Sequence, residues 1–136
     1  MNQPATSKYV PRPQGLDAEF HRLAVATGKV HVQRCEACGH HQHPPRRFCV
    51  SCSSRQLGFV PTANRGHVYS WVVSHFTVDT GWVADVPYTT VLVELDEGPR
   101  VVGAFSGDPS MLSIGMPVGI RPEPRNDDVV FLWVDG

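Results

Sequence analysis

The sequence predicts a mainly β protein in which an N-terminal helix and a zinc ribbon precede a five-stranded OB-fold barrel. Three observations support this prediction: all four cysteines lie in two Cys-x-x-Cys pairs, helical periodicity is confined to residues 16–27, and strand-like runs fill residues 67–134. We expect residues 1–15, which contain three prolines, to form a flexible arm. Residues 16–64 should form the helix and ribbon, and residues 65–136 the OB-fold.

The strongest motif is a pair of cysteine pairs with ten residues between them: Cys35, Cys38, Cys49 and Cys52. A Cys-x-x-Cys turn aims both sulfurs at one point, and two facing turns make a tetrahedral four-thiolate cage that suits Zn²⁺. Gly39 follows the first pair and can take the positive φ that such a turn favours, while Ser53 holds the matching position. Because sulfur fills all four positions, we expect a structural site and not a catalytic one.

Three alternatives remain for the cysteines. Two disulfides would need an oxidising compartment, and the N-terminus has no hydrophobic signal region to direct the chain there. Iron could occupy the same cage and would show as colour and redox activity. A redox-active Cys-x-x-Cys normally comes singly and beside a βαβ pattern, which this sequence lacks.

Composition sets limits on size, location and partners. At 136 residues the chain is one domain of ordinary size, or a small module attached to a larger one. No apolar run approaches the length of a membrane span, so we expect a soluble cytoplasmic protein. Residues 1–65 carry nine Lys/Arg and three Asp/Glu, a net charge of +6. Residues 66–136 carry three Lys/Arg and ten Asp/Glu, a net charge of −7. The asymmetry suggests two pieces with different partners.

The first half contains one helix and two ribbon strands. Apolar residues at helical spacing predict an amphipathic helix from Leu16 to Thr27, with Gly28 just beyond its end. Its apolar stripe is narrow and needs a surface to lie against, which makes Phe20 a candidate partner contact. Residues 29–33 alternate and predict a strand that leads into the first cysteine pair, and residues 55–61 predict the return strand.

After a turn at residues 64–66, five strand-like runs follow, with one possible helical turn near Ser110: residues 67–78, 88–95, 100–105, 116–121 and 129–134. The first run is long enough to bend around two sheets, which favours a small closed barrel of the OB type. The loop at residues 79–86 carries Trp82 at its tip. Such an aromatic is often only half-buried, but it can also insert into a partner, so Trp82 is a second candidate partner contact.

The sequence offers no evident catalytic machinery. There is no paired carboxylate motif, no Ser/His/Asp arrangement, no Gly-rich phosphate loop and no spare cysteine to act as a nucleophile. We therefore expect no catalytic residues and no catalysis by the chain on its own.

An ordered set of motifs resembles a known family. The motifs are Arg-Cys-x-x-Cys-Gly at 34–39, Pro-Pro-Arg at 44–46, Cys-x-x-Cys-Ser at 49–53, Gly-x-Val-Tyr-Ser at 66–70, Pro-Tyr at 87–88 and Val-Glu-Leu-Asp-Glu-Gly at 93–98. Together with the preceding helix they resemble the domain of unknown function 35 family, in which a rubredoxin-like zinc ribbon is joined to an OB-fold. The resemblance covers roughly residues 16–134. Val50 departs from it, because the family commonly has Pro at that position.

The resemblance implies a function that the residues alone do not show. Members of the family accompany acyl-CoA enzymes such as thiolases, hydroxymethylglutaryl-CoA synthase, hotdog-fold hydratases and lipid-transfer-like retro-aldolases, and are generally not catalysts themselves. It implies that this chain is an accessory subunit of a thiolase-superfamily enzyme, a thiolase or a retro-aldolase, and helps to form the acyl-CoA site. Steroid side-chain degradation is one reaction that the family allows. The implied assembly is a heterotetramer around a two-fold thiolase-like dimer.

Arg34, Arg46 and Arg47 form a basic cluster in the ribbon sequence. Guanidinium groups pair well with phosphate, so these residues are candidate contacts for the phosphates of CoA. A solvated face and an ion-paired contact with a partner remain the alternatives.

Two other classes of function compete with the accessory-subunit hypothesis. Zinc ribbons and OB-folds both bind nucleic acids, so a single-stranded nucleic-acid-binding protein is the first alternative. The acidic OB half opposes it, because phosphate tracking needs a basic groove. The second alternative is that the chain is itself an acyl-CoA hydrolase or hydratase, and the missing acid–base pair opposes that.

Overall fold

The structure, a computed structural model, describes residues 8–136, so the first part of the predicted arm (residues 1–7) lies outside the described residues. Within them, one helix is followed by eight strands: α1 (Gly15–Thr27), β1 (His31–Cys35), β2 (His41–Gln42), β3 (Leu57–Pro61), β4 (Arg65–Ser74), β5 (Tyr88–Leu95), β6 (Arg100–Phe105), β7 (Pro117–Pro124) and β8 (Val130–Asp135). Short 3₁₀ turns lie at Val83–Asp85 and Pro109–Met111. The predicted fold class is confirmed.

The helix α1 ends as the sequence predicts. Gly28 adopts a left-handed conformation with φ of 73°, and its N–H donates to the Ala24 carbonyl oxygen at 2.9 Å. Phe20 and Ala24 are its buried residues and pack toward the ribbon and barrel. His21 connects the helix to the barrel, because its Nδ1 accepts a hydrogen bond from the Val130 N–H at 3.1 Å.

The ribbon is a three-stranded antiparallel sheet in the order β2-β1-β3. β1 begins two residues later than the predicted strand and continues to Cys35, because its pairing with β3 runs from His31↔Pro61 to Cys35↔Leu57. Strand pairing thereby delivers the first cysteine of the cage directly from the sheet.

Asn64 forms the junction between ribbon and barrel. It is left-handed, with φ of 55°, and its side chain accepts from the Val30 N–H and donates to the Gly28 carbonyl oxygen, both at 2.9 Å. The predicted turn at residues 64–66 is wrong in its length, since Arg65 and Gly66 already pair with β7 as part of β4. The connection from β3 to β4 consists of residues 62–64.

The second half is a closed barrel in the order β4-β5-β6-β8-β7. The bend expected in the long first strand is confirmed: β4 pairs with both β5 and β7, and a register irregularity between Val68 and Ser70 marks the bend. The interior is filled mainly by valines and other branched side chains: Val68, Val91, Val93, Leu95, Val101, Val118, Ile120 and Val134.

The prediction that β4 continues to Val78 is wrong. Its ladder with β5 ends at Ser74↔Tyr88. The next position opposite β4 would be Pro87, which has no N–H to donate to a neighbouring strand. Residues 75–87 therefore leave the sheet and form a long loop, called here the β4–β5 loop.

The barrel is weakest between β6 and β8. These strands are parallel and pair only at Ala104↔Trp133 and Phe105↔Val134. They separate toward Arg100 and Val130, which opens the barrel wall on that side. No helix within residues 8–136 combines the length and the apolar character that crossing a membrane requires.

Candidate metal centre and apolar groove

The four cysteine sulfurs form a compact cage. Cys35 Sγ lies 3.6 Å from Cys52 Sγ, Cys38 Sγ lies 3.7 Å from Cys49 Sγ, and all four sulfurs are within 4.8 Å of one another. Zinc–sulfur bonds of about 2.3 Å in a tetrahedron require sulfurs about 3.8 Å apart. A disulfide requires about 2.05 Å, so the four thiols are free and the disulfide alternative does not hold.

The two cysteine turns have the same local geometry. Gly39 N–H donates to the Cys35 carbonyl oxygen at 2.8 Å, and Ser53 N–H donates to the Cys49 carbonyl oxygen at 2.9 Å. Gly39 has φ of 78° and Ser53 has φ of 66°, as the sequence positions suggest. A serine here is strained relative to glycine, but it does not disturb the turn.

A buried pair of glutamines fixes the connection between the turns. Gln33 accepts from Gln42 Nε2 at 2.9 Å and from the Arg46 N–H at 2.7 Å, and its own Nε2 donates to the Arg46 carbonyl oxygen at 2.8 Å. Gln42 donates to the Phe48 carbonyl oxygen and accepts from the Val50 N–H. This network, which was not predicted from the sequence, holds the second cysteine pair against β1.

The thiol pKa values favour a bound cation. The Cys38 backbone N–H is the main cause that lowers the pKa of Cys35 to about 6, so one thiolate forms readily. The Ser54 N–H lowers the pKa of Cys52, but the neighbouring Cys35 sulfur and burial outweigh it and raise that pKa to about 12. Four thiolates therefore coexist only around a positive ion. The donor set fits structural zinc, which would anchor both turns to the ribbon sheet.

The three arginines of the predicted basic cluster are exposed, and none of them makes an ion pair within residues 8–136. Arg34 alternates with the buried Gln33 on β1 and lies over Gly39, with its Nη2 3.4 Å from the position a Cβ would take there. Arg46 is held by Gln33 through its backbone, on the other face of β1. The ribbon thus separates Arg34 from Arg46, and phosphate binding by these residues stays a prediction.

A cavity of about 880 Å³ lies beside β6, where β6 and β8 separate. We call it the apolar groove. Its base includes the small residues Thr90 and Ala104, and Ala104 lies between Thr90 and Trp133 in the ladder. Its sides are aromatic and are supplied by β5, β8 and the β4–β5 loop: Tyr88, Phe131, Trp133 and Trp82.

Both candidate partner contacts line this groove. Trp82 is half-buried, with ring centroids 5.3 Å from Tyr88 and 6.0 Å from Phe131. Phe20 is only 8% exposed, and its ring packs 4.9 Å from that of His43. Partner contact by Phe20 and Trp82 stays a prediction.

Phe76 and Val78 are the most exposed of the large apolar residues of the β4–β5 loop, at 79% and 87%, and Val83 is 56% exposed. Sequence reasoning placed Phe76 and Val78 in a strand and therefore missed them. The signal that could have found them is Pro87, which limits how far β4 and β5 can pair.

Two partly buried histidines, His21 and His43, border the groove where the helix meets the ribbon loop. Burial lowers the pKa of His43, and the Asp17 carboxylate opposes that shift only in part. The pKa of His21 is lowered for the same reasons. Its Nδ1 accepts the Val130 N–H, which requires that nitrogen to be unprotonated. The Nδ1 of His21 therefore carries no proton in this arrangement, and partial burial favours the neutral form of His43 as well.

Stability should fall as the pH drops below about 6.5, because the unfolded chain then binds a proton that the partly buried His43 resists. The contribution is complete above the unfolded pKa and is lost as the pH falls through the lowered folded pKa. Replacing His43 by Phe should reduce the loss of thermal stability between about pH 7 and about pH 5. His75→Phe, at an exposed position, is the control. Identical pH profiles for His43→Phe and the unmodified chain would contradict the assignment.

Comparison with known proteins gives two successive family matches. Residues 24–58 match "ChsH2, rubredoxin-like zinc ribbon domain", which contains the whole cysteine cage. Residues 59–121 match "ChsH2, C-terminal OB-fold domain". The two matches meet within β3, just before the barrel begins.

Similar proteins include two curated hydratase subunits. The "Probable enoyl-CoA hydratase alpha subunit" of Thermomonospora curvata is 38% identical over 110 residues, 79% of this chain and 34% of that protein. The "3-oxo-4,17-pregnadiene-20-carboxyl-CoA hydratase alpha subunit" of Mycobacterium tuberculosis is 37% identical over 118 residues, 86% of this chain and 37% of that protein. The chain thus spans about a third of the length of these relatives.

A solved structure is similar along almost its whole length. A chain of the "Ltp2-ChsH2(DUF35) aldolase" superposes with a TM-score of 0.77 at 33% sequence identity. The match covers 90% of this chain and 97% of that chain.

Proposed function

Because this chain belongs to the domain of unknown function 35 (DUF35) family, we propose that it is a non-catalytic accessory subunit of an acyl-CoA enzyme of the thiolase superfamily. The observation that carries the proposal is the similarity to the DUF35 chain of an aldolase complex along nearly all of both chains. The names of the two hydratase subunits support CoA thioesters as the substrate class. We propose a thiolase or retro-aldolase as the partner, with a steroid side chain among its possible substrates.

The cage geometry supports a non-catalytic role for the ribbon. Four sulfurs complete a tetrahedron and leave no position for water or substrate, so a bound metal would organise the chain without activating a reactant. The exposed Arg34, Arg46 and Arg47 remain candidate contacts for CoA phosphates.

The β4–β5 loop is the best candidate for the partner interface. It is organised by its own hydrogen bonds: Asp79 Oδ1 accepts from the Gly81 N–H at 2.9 Å, and the Trp82 N–H donates to the Asp79 carbonyl oxygen at 3.0 Å. Trp82 anchors the loop in the groove while Phe76 and Val78 project into solvent. A preformed loop with exposed apolar side chains loses little entropy on docking. We propose docking against an enzyme dimer, giving a heterotetramer.

Nucleic-acid binding gains no support from the geometry. Tyr69, one of the residues that could stack on a base, is covered by the Arg100 guanidinium at 3.7 Å from its ring centroid. Residues 66–136, which include the barrel, carry a net charge of −7.

The test is to purify the tagged full-length protein from its native cells and identify its stoichiometric companions by mass spectrometry. A thiolase-like or hydratase-like enzyme is expected. Nucleic acid, or a lone chain that turns over acyl-CoA, would overturn the proposal.

With the partner in hand, the double variant Phe76→Ala/Val78→Ala should weaken the complex at least about 30-fold in a binding titration, because central apolar anchors dominate interfaces. Trp82→Ala should also weaken it while the isolated fold stays intact. Ile114→Ala removes an equally exposed apolar side chain outside the loop and is the matched control. An unchanged affinity in the double variant would exclude the loop from the interface.

A further inference from the structure

We propose that the apolar groove binds an apolar acyl group, carried as a thioester or as the free carboxylic acid. The proposal deepens the proposed function by giving the acyl group its own site on this subunit, and rests on that function only for the thioester as carrier. The groove's volume, about 880 Å³, falls among small-molecule sites, which are typically about 300–1,000 Å³.

The shape of the groove results from side-chain size. On β6, the short side chain of Ala104 leaves space beside the opening between β6 and β8, and the aromatic rings of Trp82 and Phe131 lie around that space. Small residues at the base with aromatic residues at the sides make a slot that apolar carbon fills by van der Waals contact.

The charged residues at the edge of the groove are already neutralised. Asp85 pairs with Lys8 at 2.8 Å, and Arg100 pairs with Glu94 at 3.1 Å. Lys8 also lies over the Trp82 ring, 4.8 Å from its centroid. Asp85 and Arg100 are the only Asp, Glu, Lys or Arg side chains among the described residues that line the groove. The site therefore favours an uncharged group over an ion.

The lining of the groove favours a small organic ligand. Phe20 and His43, from the helix and the ribbon loop, line it together with the aromatic residues of the barrel, and their ring centroids lie 4.9 Å apart. The volume is that of a small-molecule site, and an acyl chain can fill it by contact with these rings. The His43 imidazole can share a hydrogen bond with a carbonyl or hydroxyl group on the acyl carbon skeleton.

Tryptophan quenching tests the proposal on the full chain. The probes are ω-bromoundecanoyl-CoA, free ω-bromoundecanoic acid and CoA alone, because bromine quenches only nearby indole rings. Trp82 and Trp133 line the groove and Trp71 does not. We expect the brominated probes to quench part of the tryptophan fluorescence of the unmodified chain. The double variant Trp82→Phe/Trp133→Phe should show no such quenching. CoA alone should have no effect.

The Ala104→Phe variant fills the groove and should weaken probe binding at least about tenfold. Val72→Phe adds the same ring to an exposed position of the neighbouring strand outside the groove and should change nothing. If circular dichroism shows that the Ala104→Phe variant is unfolded, Thr90→Phe, which fills the same space, is used in its place. No quenching of the unmodified chain, or quenching undiminished in both filling variants, overturns the proposal.

The same variants separate this inference from the proposed function. Quenching by the thioester assigns the site to acyl-CoA and quenching by the acid alone assigns it to free acids, and both support an acyl site whether or not a partner enzyme is found. If the Ala104→Phe variant still forms the partner complex but no longer binds the probe, the ligand site is distinct from the interface. The proposal is overturned if the probes do not quench the unmodified chain and the Ala104→Phe variant no longer forms the partner complex. That result would mean that side chains of the partner, and not an acyl group, occupy the groove.

Discussion

Replacing Cys49 by Ser should abolish metal binding and unfold the ribbon. Cys49 is completely buried, and a hydroxyl in its place is a poor ligand for zinc. Structural zinc contributes on the order of 10 kcal/mol of folding free energy, which is comparable to the whole stability of an ordinary domain. Cys38→Ser should behave in the same way. The measurements are metal content per chain and the thermal unfolding profile.

Ser51→Ala is the matched control, because it changes an exposed side chain within the same cysteine turn and keeps all four sulfurs. It should retain one metal ion per chain and unfold as the unmodified protein does. Metal analysis of the same samples separates zinc from iron. A Cys49→Ser protein that keeps its metal and its folded ribbon would refute the structural site.

The metal cage could be predicted from the sequence because its information is local. Each Cys-x-x-Cys turn is closed by hydrogen bonds within a few residues, and Gly39 and Ser53 adopt the left-handed conformations that their positions require. The helix end at Gly28 is equally local. Strand alternation likewise identified the strands of the barrel, since burial of one face repeats every second residue.

The groove could not be predicted, because its residues are brought together by pairing between distant strands. Alternation places Tyr88 and Phe131 on the outside of their strands, but it does not say that Ala104 lies between these strands or that β6 and β8 separate. The loop residues Phe76 and Val78 continue the alternating pattern of β4, which hides the end of the strand. The Gln33–Gln42 network was equally invisible, since its partners are backbone groups.

Replacing Gly66 by Ala should destabilise the barrel strongly. Gly66 is buried in β4 where the strand pairs with both Leu95 of β5 and Val118 of β7. A Cβ at this position would overlap the Glu94 carbonyl oxygen and lie 2.9 Å from the Leu95 Cα. These are backbone atoms of a paired strand, so relief requires β5 itself to move. We expect a loss of about 3 kcal/mol or more in a urea unfolding titration.

The control for Gly66→Ala is Gly58→Ala in β3, also a strand glycine with no positive φ. Its Cβ would meet only Glu36 Oε1 at 3.7 Å, an ordinary contact, and the substitution should change stability by less than about 1 kcal/mol. Equal unfolding midpoints for the two variants would mean that β4 and β5 do not approach as closely as the structure shows. The expected difference gives the first residue of the Gly-x-Val-Tyr-Ser motif a physical cause: a side chain there would push apart β4 and β5, which are neighbouring strands of the barrel.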